Sequence, residues 1–403
     1  METLLKPVCL LIFLFGFSFS LKLMAQEQFN YDETKVPDLV LPDLFVDYKG
    51  NIIKTVEDWE NKRRPELLNV FADQVYGQLP KDYDEIDFEV SIDSGHSYKD
   101  VALKNKVTIK VIRKGNVQKI NLFVFLPLEG KGPFPVFLLI SHRNVQELFE
   151  ENENQFFPVS QIVGRGYAAA IFDVEDVSPD DKERFDDGIL KTLYPEQMQM
   201  NNGMRGLGSW AWAAMRAMDY FVQDPQIDHT KSAVVGHSRG GKAALWCGAN
   251  DQRWKVVIPN ESGCGGAALS RRKFGETVKR INTNFPFWFT DNFKNYNDRE
   301  GNLPIDQHLL VGCVAPRSIY IASAIEDQWA DPKGEFLSLK LGSRVYTDLY
   351  GIKLDFPEKF ENQKRTIHKS PIGYHLREGK HDLTLYDWER FLDFVDKEFL
   401  LAR

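Results

Sequence analysis

The chain has 403 residues, of which 43% are hydrophobic and 13% aromatic, a composition that excludes disordered and fibrous proteins. Its net charge of −8 results from 50 basic and 58 acidic residues spread along the chain, without the basic stripe that nucleic-acid binding requires. We therefore expect a globular protein with no nucleic-acid partner.

The N-terminus has the pattern of a secretory signal peptide. Lys6 precedes an apolar run at 7–21, which is followed by Lys22 and LMAQ (23–26), with cleavage expected near Ala25. The run is short for a bilayer-spanning helix, so a retained membrane helix is the less favoured alternative. We predict a signal peptide at residues 1–25, a secreted or periplasmic location and no stable membrane anchor.

Three cysteines lie beyond this segment, at Cys247, Cys264 and Cys313, and they allow at most one disulfide. The sequence has neither a C-x-x-C pair nor an H-E-x-x-H motif, so we expect no metal site.

Residues 26–115 are predicted to be an N-terminal extension packed on the core. Its alternating segments DFEVSID (87–93) and KVTIKVIR (106–113) favour antiparallel strands. The remainder, residues 116–403, is predicted to be the catalytic domain.

From residue 120 onward, buried strands alternate with helices, which is typical of an α/β fold. The predicted elements are strands at 120–128, 135–141, 167–173, 231–235, 254–263, 317–327 and 374–381, and helices at 210–222, 242–249 and 386–400. We predict a mostly parallel, doubly wound sheet in a three-layer αβα arrangement. A candidate serine, acid and histidine follow strands of this sheet in the chain order of the α/β-hydrolases, so the predicted fold is an α/β-hydrolase fold.

The segment GHSRGGK (236–242) matches the G-x-S-x-G pattern of a nucleophile elbow. An apolar strand precedes Ser238 and a helix follows it, which is the context that the elbow requires. The alternative is a small residue in a tight turn. We favour Ser238 as the nucleophile.

A serine nucleophile needs an imidazole base, and the chain has eight histidines. His381 follows a late strand and a glycine, the usual position of the base. His375 lies inside a strand, His308 begins a helix, and His142 precedes the nucleophile, where the oxyanion loop usually lies. The remaining histidines lack a strand-end position, or, for His237, point away on the turn. His381 is therefore the predicted base.

Two carboxylates also follow strands, Glu261 and Asp327, and either could orient His381. Spacing alone slightly favours Asp327, which has the usual hydrolase position. The structural alternatives are a buried pair with arginine for Glu261 and a loop cap for Asp327. Arg239, next to the nucleophile, is predicted to offer its backbone N–H and its guanidinium to the oxyanion.

Several motifs in this order resemble the bacterial glucuronoyl esterases, carbohydrate esterase family 15. They are GHSRGGKAALW (236–246), NESGCGGAALSRRKFGETV (260–278), INTNFPFWF (281–289), LPIDQHLL (303–310) and DQWADPKGEF (327–336). The resemblance implies hydrolysis of the ester between 4-O-methyl-glucuronic acid of glucuronoxylan and lignin alcohols, without a metal or cofactor.

The resemblance also implies roles for individual residues. Glu261 becomes the first acid and Asp327 an auxiliary, and Lys242, Glu276 and Trp329 contact hydroxyls of the uronic acid. Lys242 lies four residues after Ser238, on the same helix face, so both side chains can address one ligand.

Two segments depart from the family pattern, namely SHRNVQE (141–147) and Phe287, where a histidine is expected. The alternatives to a glucuronoyl esterase are an acetyl-xylan esterase or peptidase of the same fold, or a carbohydrate-binding relative without activity. We expect a monomeric serine esterase acting on glucuronoxylan or lignin-carbohydrate esters.

Overall fold

The structure is a computed structural model that describes residues 29–92, 98–150 and 154–400. The predicted signal peptide lies outside the described residues. Among the described residues, no helix is long and apolar enough to cross a membrane. Cys247, Cys264 and Cys313 are buried free thiols.

The strands, in chain order, are β1 Glu85–Ile92, β2 Ala102–Arg113, β3 Asn116–Pro127, β4 Phe134–Ser141, β5 Ala168–Asp173, β6 Ile227–His237, β7 Val256–Asn260, β8 Ser318–Ala324, β9 Arg365–Lys369 and β10 Ile372–Arg377. The α-helices are α1 Val56–Asp58, α2 Arg64–Phe71, α3 Val145–Glu150, α4 Val159–Gly164, α5 Ile189–Thr192, α6 Gly206–Gln223, α7 Arg239–Asn250, α8 Val278–Asn284, α9 Gln307–Gly312, α10 Pro332–Gly342 and α11 Leu385–Glu398.

The described strands form one sheet in the order β1-β2-β3-β5-β4-β6-β7-β8-β10-β9. Pairing is parallel from β5 through β10 and antiparallel at both edges. The sequence pattern explains this division. Central β4 reads as an almost continuous buried run, whereas β2, next to edge strand β1, alternates buried and partly exposed residues along much of its length.

Helices cover both faces of the sheet. Successive residues of a strand point to opposite faces, so Leu138 and Leu139 of β4 belong to two separate hydrophobic clusters. Helices α6, α7 and α10 pack in the first cluster, and α4 and α11 pack in the second. The predicted three-layer α/β-hydrolase fold is confirmed.

Strands β1 and β2 come from the predicted N-terminal extension, and their antiparallel pairing is as expected. Both belong to the same sheet as the nucleophile strand β6. The boundary predicted at residue 115 falls in the turn between β2 and β3 and stays a prediction.

Parallel pairing brings the carboxyl ends of β6, β7, β8 and β10 to one edge of the sheet. In open α/β sheets this edge is where ligands bind. Ser238, Glu261 and Asp327 follow three of these strands, and His381 lies in the loop between β10 and α11.

Candidate active site

Ser238 occupies the turn between β6 and α7, as predicted. Its φ of 55° and ψ of −122° are strained for a residue with a side chain, at a cost of about 1–3 kcal/mol. The Ser238 N–H donates to the Asn260 carbonyl at 2.9 Å, which fixes the turn. This geometry is that of a nucleophile elbow.

The elbow depends on its glycines. A Cβ on Gly236 would lie 2.0 Å from the Gly240 carbonyl oxygen, and a Cβ on Gly240 would lie 2.7 Å from the Ile140 carbonyl oxygen. At both positions the backbone lies so close to another backbone carbonyl that only glycine fits. A tight turn accounts for these glycines, but it gives no reason for a strained serine between them.

His381 contacts both candidate acids through one nitrogen. Its Nδ1 lies 2.6 Å from Asp327 Oδ2 and 3.2 Å from Glu261 Oε2. Burial disfavours the imidazolium, but the hydrogen bonds and charges of the two carboxylates outweigh it and raise the pKa of His381 to about 9. An Nδ1–H donated to the acids leaves Nε2 as the proton acceptor.

Glu261 is 1% exposed and accepts two further hydrogen bonds. Its Oε1 accepts from Arg377 Nη2 at 2.5 Å, and its Oε2 accepts from the Asp382 N–H at 3.0 Å. Burial raises the pKa of Glu261, whereas the hydrogen bond from His381 and the charge of Arg377 lower it and favour the carboxylate form. The sequence left two interpretations of Glu261 open, a buried pair with an arginine and an acid that orients His381. In the structure the Glu261 side chain makes both contacts.

Arg377 holds the loop that carries His381. Its Nη2 donates to the Lys380 and Asp382 carbonyls at 2.9 and 2.7 Å, and its Nε donates to both oxygens of Asp387 at 3.1 Å. Asp387 in turn caps α11 through Thr384. Sequence reasoning missed Arg377, although its position at the end of β10 was a usable signal.

Asp327 is 4% exposed and lies in the turn after β8. Its Oδ1 accepts from the Ala330 N–H at 3.3 Å, as the predicted loop cap requires, while Oδ2 faces His381. Of the two acids it makes the shorter contact with the imidazole. The order implied by the family resemblance, with Glu261 first, stays a prediction.

Arg239 begins α7, where backbone N–H groups have no acceptor within the helix and can bind an oxyanion. Its guanidinium is held by Asp180, whose Oδ2 accepts from Arg239 Nη1 at 2.5 Å. The other Asp180 oxygen accepts from Trp288 Nε1 at 2.8 Å, and the guanidinium lies 4.6 Å from the Trp288 ring. No sequence signal pointed to Asp180, because it lies in a loop 59 residues from Arg239.

The three residues expected to contact the uronic acid also converge. Lys242 is 4% exposed and donates to the Ser262 carbonyl at 2.6 Å. Burial lowers the pKa of Lys242 and raises that of Glu276, and the charge of each opposes the shift of the other. The Glu276 N–H donates to the Trp329 carbonyl at 3.0 Å, which holds the two residues next to each other.

His237 lies closer to the site than we expected. Its ring centroid is 4.5 Å from that of His381, and its Nδ1 pairs with Asn260 Oδ1 at 2.6 Å. The expectation that His237 points away is therefore wrong. His237, Glu261 and His381 place potential metal-ligand atoms within 4.8 Å of one another, but His381 and Glu261 already pair with each other. We assign these groups to the acid–base network.

The structure shows the contacts of the two departures from the family pattern, Phe287 and the segment 141–147. Phe287 is buried against Phe185, with ring centroids 5.5 Å apart. In the loop after β4, Arg143 pairs with Asp382 at 2.9 Å, which connects this wall of the pocket to the residue after His381. Burial lowers the pKa of His142 to about 3, so its imidazole is neutral.

Comparisons with known proteins identify the family of this chain. Residues 109–350 match the family model described as glucuronyl esterase, fungi. A carbohydrate esterase from an unknown prokaryotic organism is 38% identical over 91% of both chains. A 4-O-methyl-glucuronoyl methylesterase of Podospora anserina is 24% identical over 72% of this chain and 56% of the relative.

Two solved structures share the architecture. A promiscuous CE15 esterase from a marine bacterial metagenome superimposes with a TM-score of 0.81 and 36% identity, over 92% of this chain and 99% of that one. The glucuronoyl esterase of Solibacter usitatus gives a TM-score of 0.83 and 34% identity, over 91% and 100% of the two chains. This chain belongs to the glucuronoyl esterase family, carbohydrate esterase family 15, and is a carboxylic ester hydrolase.

Proposed function

We propose that this protein cleaves the ester between (4-O-methyl-)glucuronic acid of glucuronoxylan and lignin alcohols, through an acyl-enzyme at Ser238. The observation that carries this proposal is the His381 Nδ1 contact with two buried carboxylates beside a strained serine, in a chain of this family. No metal or cofactor enters the reaction as proposed.

In the first half-reaction, Ser238 Oγ attacks the ester carbonyl carbon while His381 Nε2 takes the hydroxyl proton. The carbonyl oxygen becomes an oxyanion, which the Arg239 N–H and the guanidinium held by Asp180 stabilise. The tetrahedral intermediate then collapses. The C–O bond to the alcohol breaks, the alcohol leaves with the proton from His381, and the uronoyl group remains on Ser238.

In the second half-reaction, a water molecule gives a proton to His381 and attacks the acyl carbon. Collapse of this intermediate returns the proton to Ser238 Oγ and releases glucuronic acid. Asp327 and Glu261 hold the Nδ1–H in both halves and stabilise the imidazolium, since both carboxylates lie within 3.2 Å of that nitrogen.

Recognition of the uronate falls to Lys242, Glu276 and Trp329. The esterified carboxyl is uncharged, so the charges of Lys242 and Glu276 act on ring hydroxyls. The Lys242 side chain is buried and that of Glu276 is half-buried, and hydrogen bonds to charged groups are worth about 1.5–3 kcal/mol each. This environment supports selection of a uronate over an acetyl group.

The cellular setting is part of the same proposal. We infer that residues 1–25 direct the chain out of the cytoplasm and are removed, and that the mature esterase is a monomer without a membrane anchor. The extension at 26–115 is proposed to pack on the catalytic domain 116–403 as one body, which the common sheet supports.

The proposal is tested with benzyl glucuronate and purified protein that lacks residues 1–25. Release of benzyl alcohol is compared between the wild type and Ser238→Ala, with acetylated xylan as a second substrate. We expect turnover of the uronate ester, a loss of kcat of about 10⁶-fold in the variant, and weak deacetylation.

Activity on acetylated xylan alone would be consistent with a serine hydrolase but would contradict the proposed uronate substrate. Inactivity on both substrates would favour the carbohydrate-binding alternative. Full activity of Ser238→Ala would discard the nucleophile.

A further inference from the structure

The first described residues, Phe29, Asn30 and Tyr31, lie beside the proposed uronate site; we call them the N-terminal wall. The Phe29 ring meets the Trp329 ring edge-on, with centroids 4.8 Å apart. The Asn30 carbonyl accepts from the Gly275 N–H at 2.8 Å, one residue before Glu276. The wall therefore adjoins two of the three side chains that we propose for the uronate.

Ion pairs hold this segment against the catalytic domain. Glu33 accepts from Arg272 at 2.5 Å and from Lys333 at 2.6 Å. The Arg280 guanidinium lies 5.2 Å from the centroid of the Phe29 ring, a cation–π contact. Because Arg272 is 2% exposed, its pair with Glu33 joins the segment to buried structure.

Tyr31 is the exposed residue of the wall. Its side chain is 51% exposed, and its ring packs against Phe274 with the centroids 6.1 Å apart and the ring planes at 87°. Burial, and after it the negative charge of Asp327, raises the pKa of Tyr31. Its phenol is therefore a neutral hydrogen-bond donor within the field of a catalytic carboxylate.

A cavity of about 650 Å³ opens along the wall, between it and Lys273. Its lining joins the rings of Phe29 and Tyr31 to hydrogen-bonding groups of Asn30, Asp32 and Lys273. This mixture suits a pyranose, whose C–H face stacks on an aromatic ring while its hydroxyls bind polar groups.

We propose that the N-terminal wall and its cavity form a glycan subsite that binds the xylosyl chain attached to the uronate. This inference rests on the proposed function. Because Phe29 both contacts Trp329 and lines the cavity, a glycan chain that leaves a uronate bound at Trp329 on this side enters the cavity. Tyr31 then stacks on a sugar ring that takes no part in ester cleavage.

The test compares benzyl glucuronate with the benzyl ester of a glucuronoyl xylotriose, using the wild type and Tyr31→Ala. We expect Tyr31→Ala to lower kcat/KM on the xylotriose ester by about 3–10-fold, the worth of one aromatic stacking contact. On benzyl glucuronate the variant should equal the wild type. Val40→Ala is the matched control, because Val40 is 83% exposed, lies in the same segment and does not line the cavity.

Methyl glucuronate, whose alcohol has no aromatic ring, tests whether the wall binds the alcohol of the ester instead of the glycan. A loss by Tyr31→Ala on benzyl glucuronate but not on methyl glucuronate would overturn the proposal and assign the wall to the alcohol. An equal loss on all esters, or no loss on the xylotriose ester, would also overturn it. Failure of the proposed function would appear separately, as a wild type that is inactive on every uronate ester.

Discussion

Two carboxylates reach the same nitrogen of His381, but their surroundings differ. Glu261 is paired with Arg377 at 2.5 Å and accepts the Asp382 N–H, so its charge is largely balanced before His381 contributes. Asp327 makes the shorter contact with His381, and its other oxygen accepts a backbone N–H of its own turn. Glu261 therefore both stabilises the loop that carries His381 and contacts the imidazole, whereas the charge of Asp327 acts mainly on the imidazole of His381.

The largest effect is expected when both acids are replaced. Removal of the only triad acid of a serine protease costs about 10⁴-fold in kcat, so Asp327→Asn/Glu261→Gln should lose about that factor. Asp327→Asn alone should lose about 10²-fold, because Glu261 remains within 3.2 Å of the imidazole. Glu261→Gln alone should lose about 10-fold. Steady-state kinetics on benzyl glucuronate measures all three.

The control for these variants is Asp355→Asn, since the Asp355 side chain is 93% exposed and pairs only with a surface lysine among the described ion pairs. It should leave kcat unchanged. A larger loss for Glu261→Gln than for Asp327→Asn would restore the order that the family resemblance implies, with Glu261 as the first acid.

The second prediction concerns stability rather than rate. Arg377→Met removes the cation from between Glu261 and Asp387, and breaking such a buried pair costs about 3–5 kcal/mol. Arg143→Met removes the exposed pair with Asp382 in the same region and should cost about 0–1 kcal/mol. Urea unfolding of both variants gives the two free energies. Equal losses of unfolding free energy in the two variants would show that the buried pair of Arg377 with Glu261 stabilises the fold no more than the exposed pair does.

The third prediction uses pH. His381 must be neutral to accept the serine proton, and its pKa of about 9 means that kcat/KM should rise between pH 7 and pH 9. Asp327→Asn removes a negative charge and a hydrogen bond that favour the imidazolium, so the pKa of His381 falls and the rising limb moves to lower pH. The shift should be larger in Asp327→Asn than in Glu261→Gln.

This pH profile is measured on benzyl glucuronate from pH 6 to pH 10, with the Ser238→Ala rate subtracted at each pH as the nonenzymatic background. An unchanged limb in Asp327→Asn would contradict the assignment of Asp327 to His381. A shift of the rising limb to higher pH in Asp327→Asn would contradict the expectation that the Asp327 charge raises the pKa of His381.

The parts of the fold that the sequence predicted are those with a local pattern. Continuous apolar runs identified the buried strands β4 to β8, and the alternation in residues 106–113 identified the antiparallel strand β2. Strand-end position then placed Ser238, Glu261, Asp327 and His381 at one edge, because parallel strands bring their carboxyl ends together. These inferences needed no knowledge of distant contacts.

The supporting residues were missed because their roles exist only in three dimensions. Arg377 contacts Glu261 across 116 residues of sequence, and Asp180 contacts Arg239 across 59. An aspartate in a polar loop looks like any solvated charge until the loop is folded over the helix N-terminus. The direction of the His237 ring was wrong for the same reason, since it is set by Asn260, 23 residues away.

A loss of kcat no larger than that of Glu261→Gln is expected from Asp180→Asn. The amide oxygen can still accept from Trp288 Nε1, but the charge that directs the Arg239 guanidinium is lost. Removing an oxyanion donor outright costs about 10²–10³-fold in kcat, so loosening one should cost about 10-fold, with KM nearly unchanged. Asp181→Asn, at the next position, is the control. In an Arg239→Met background, Asp180→Asn should have no further effect, because Asp180 acts through Arg239; an undiminished 10-fold loss there would show that it acts by another route.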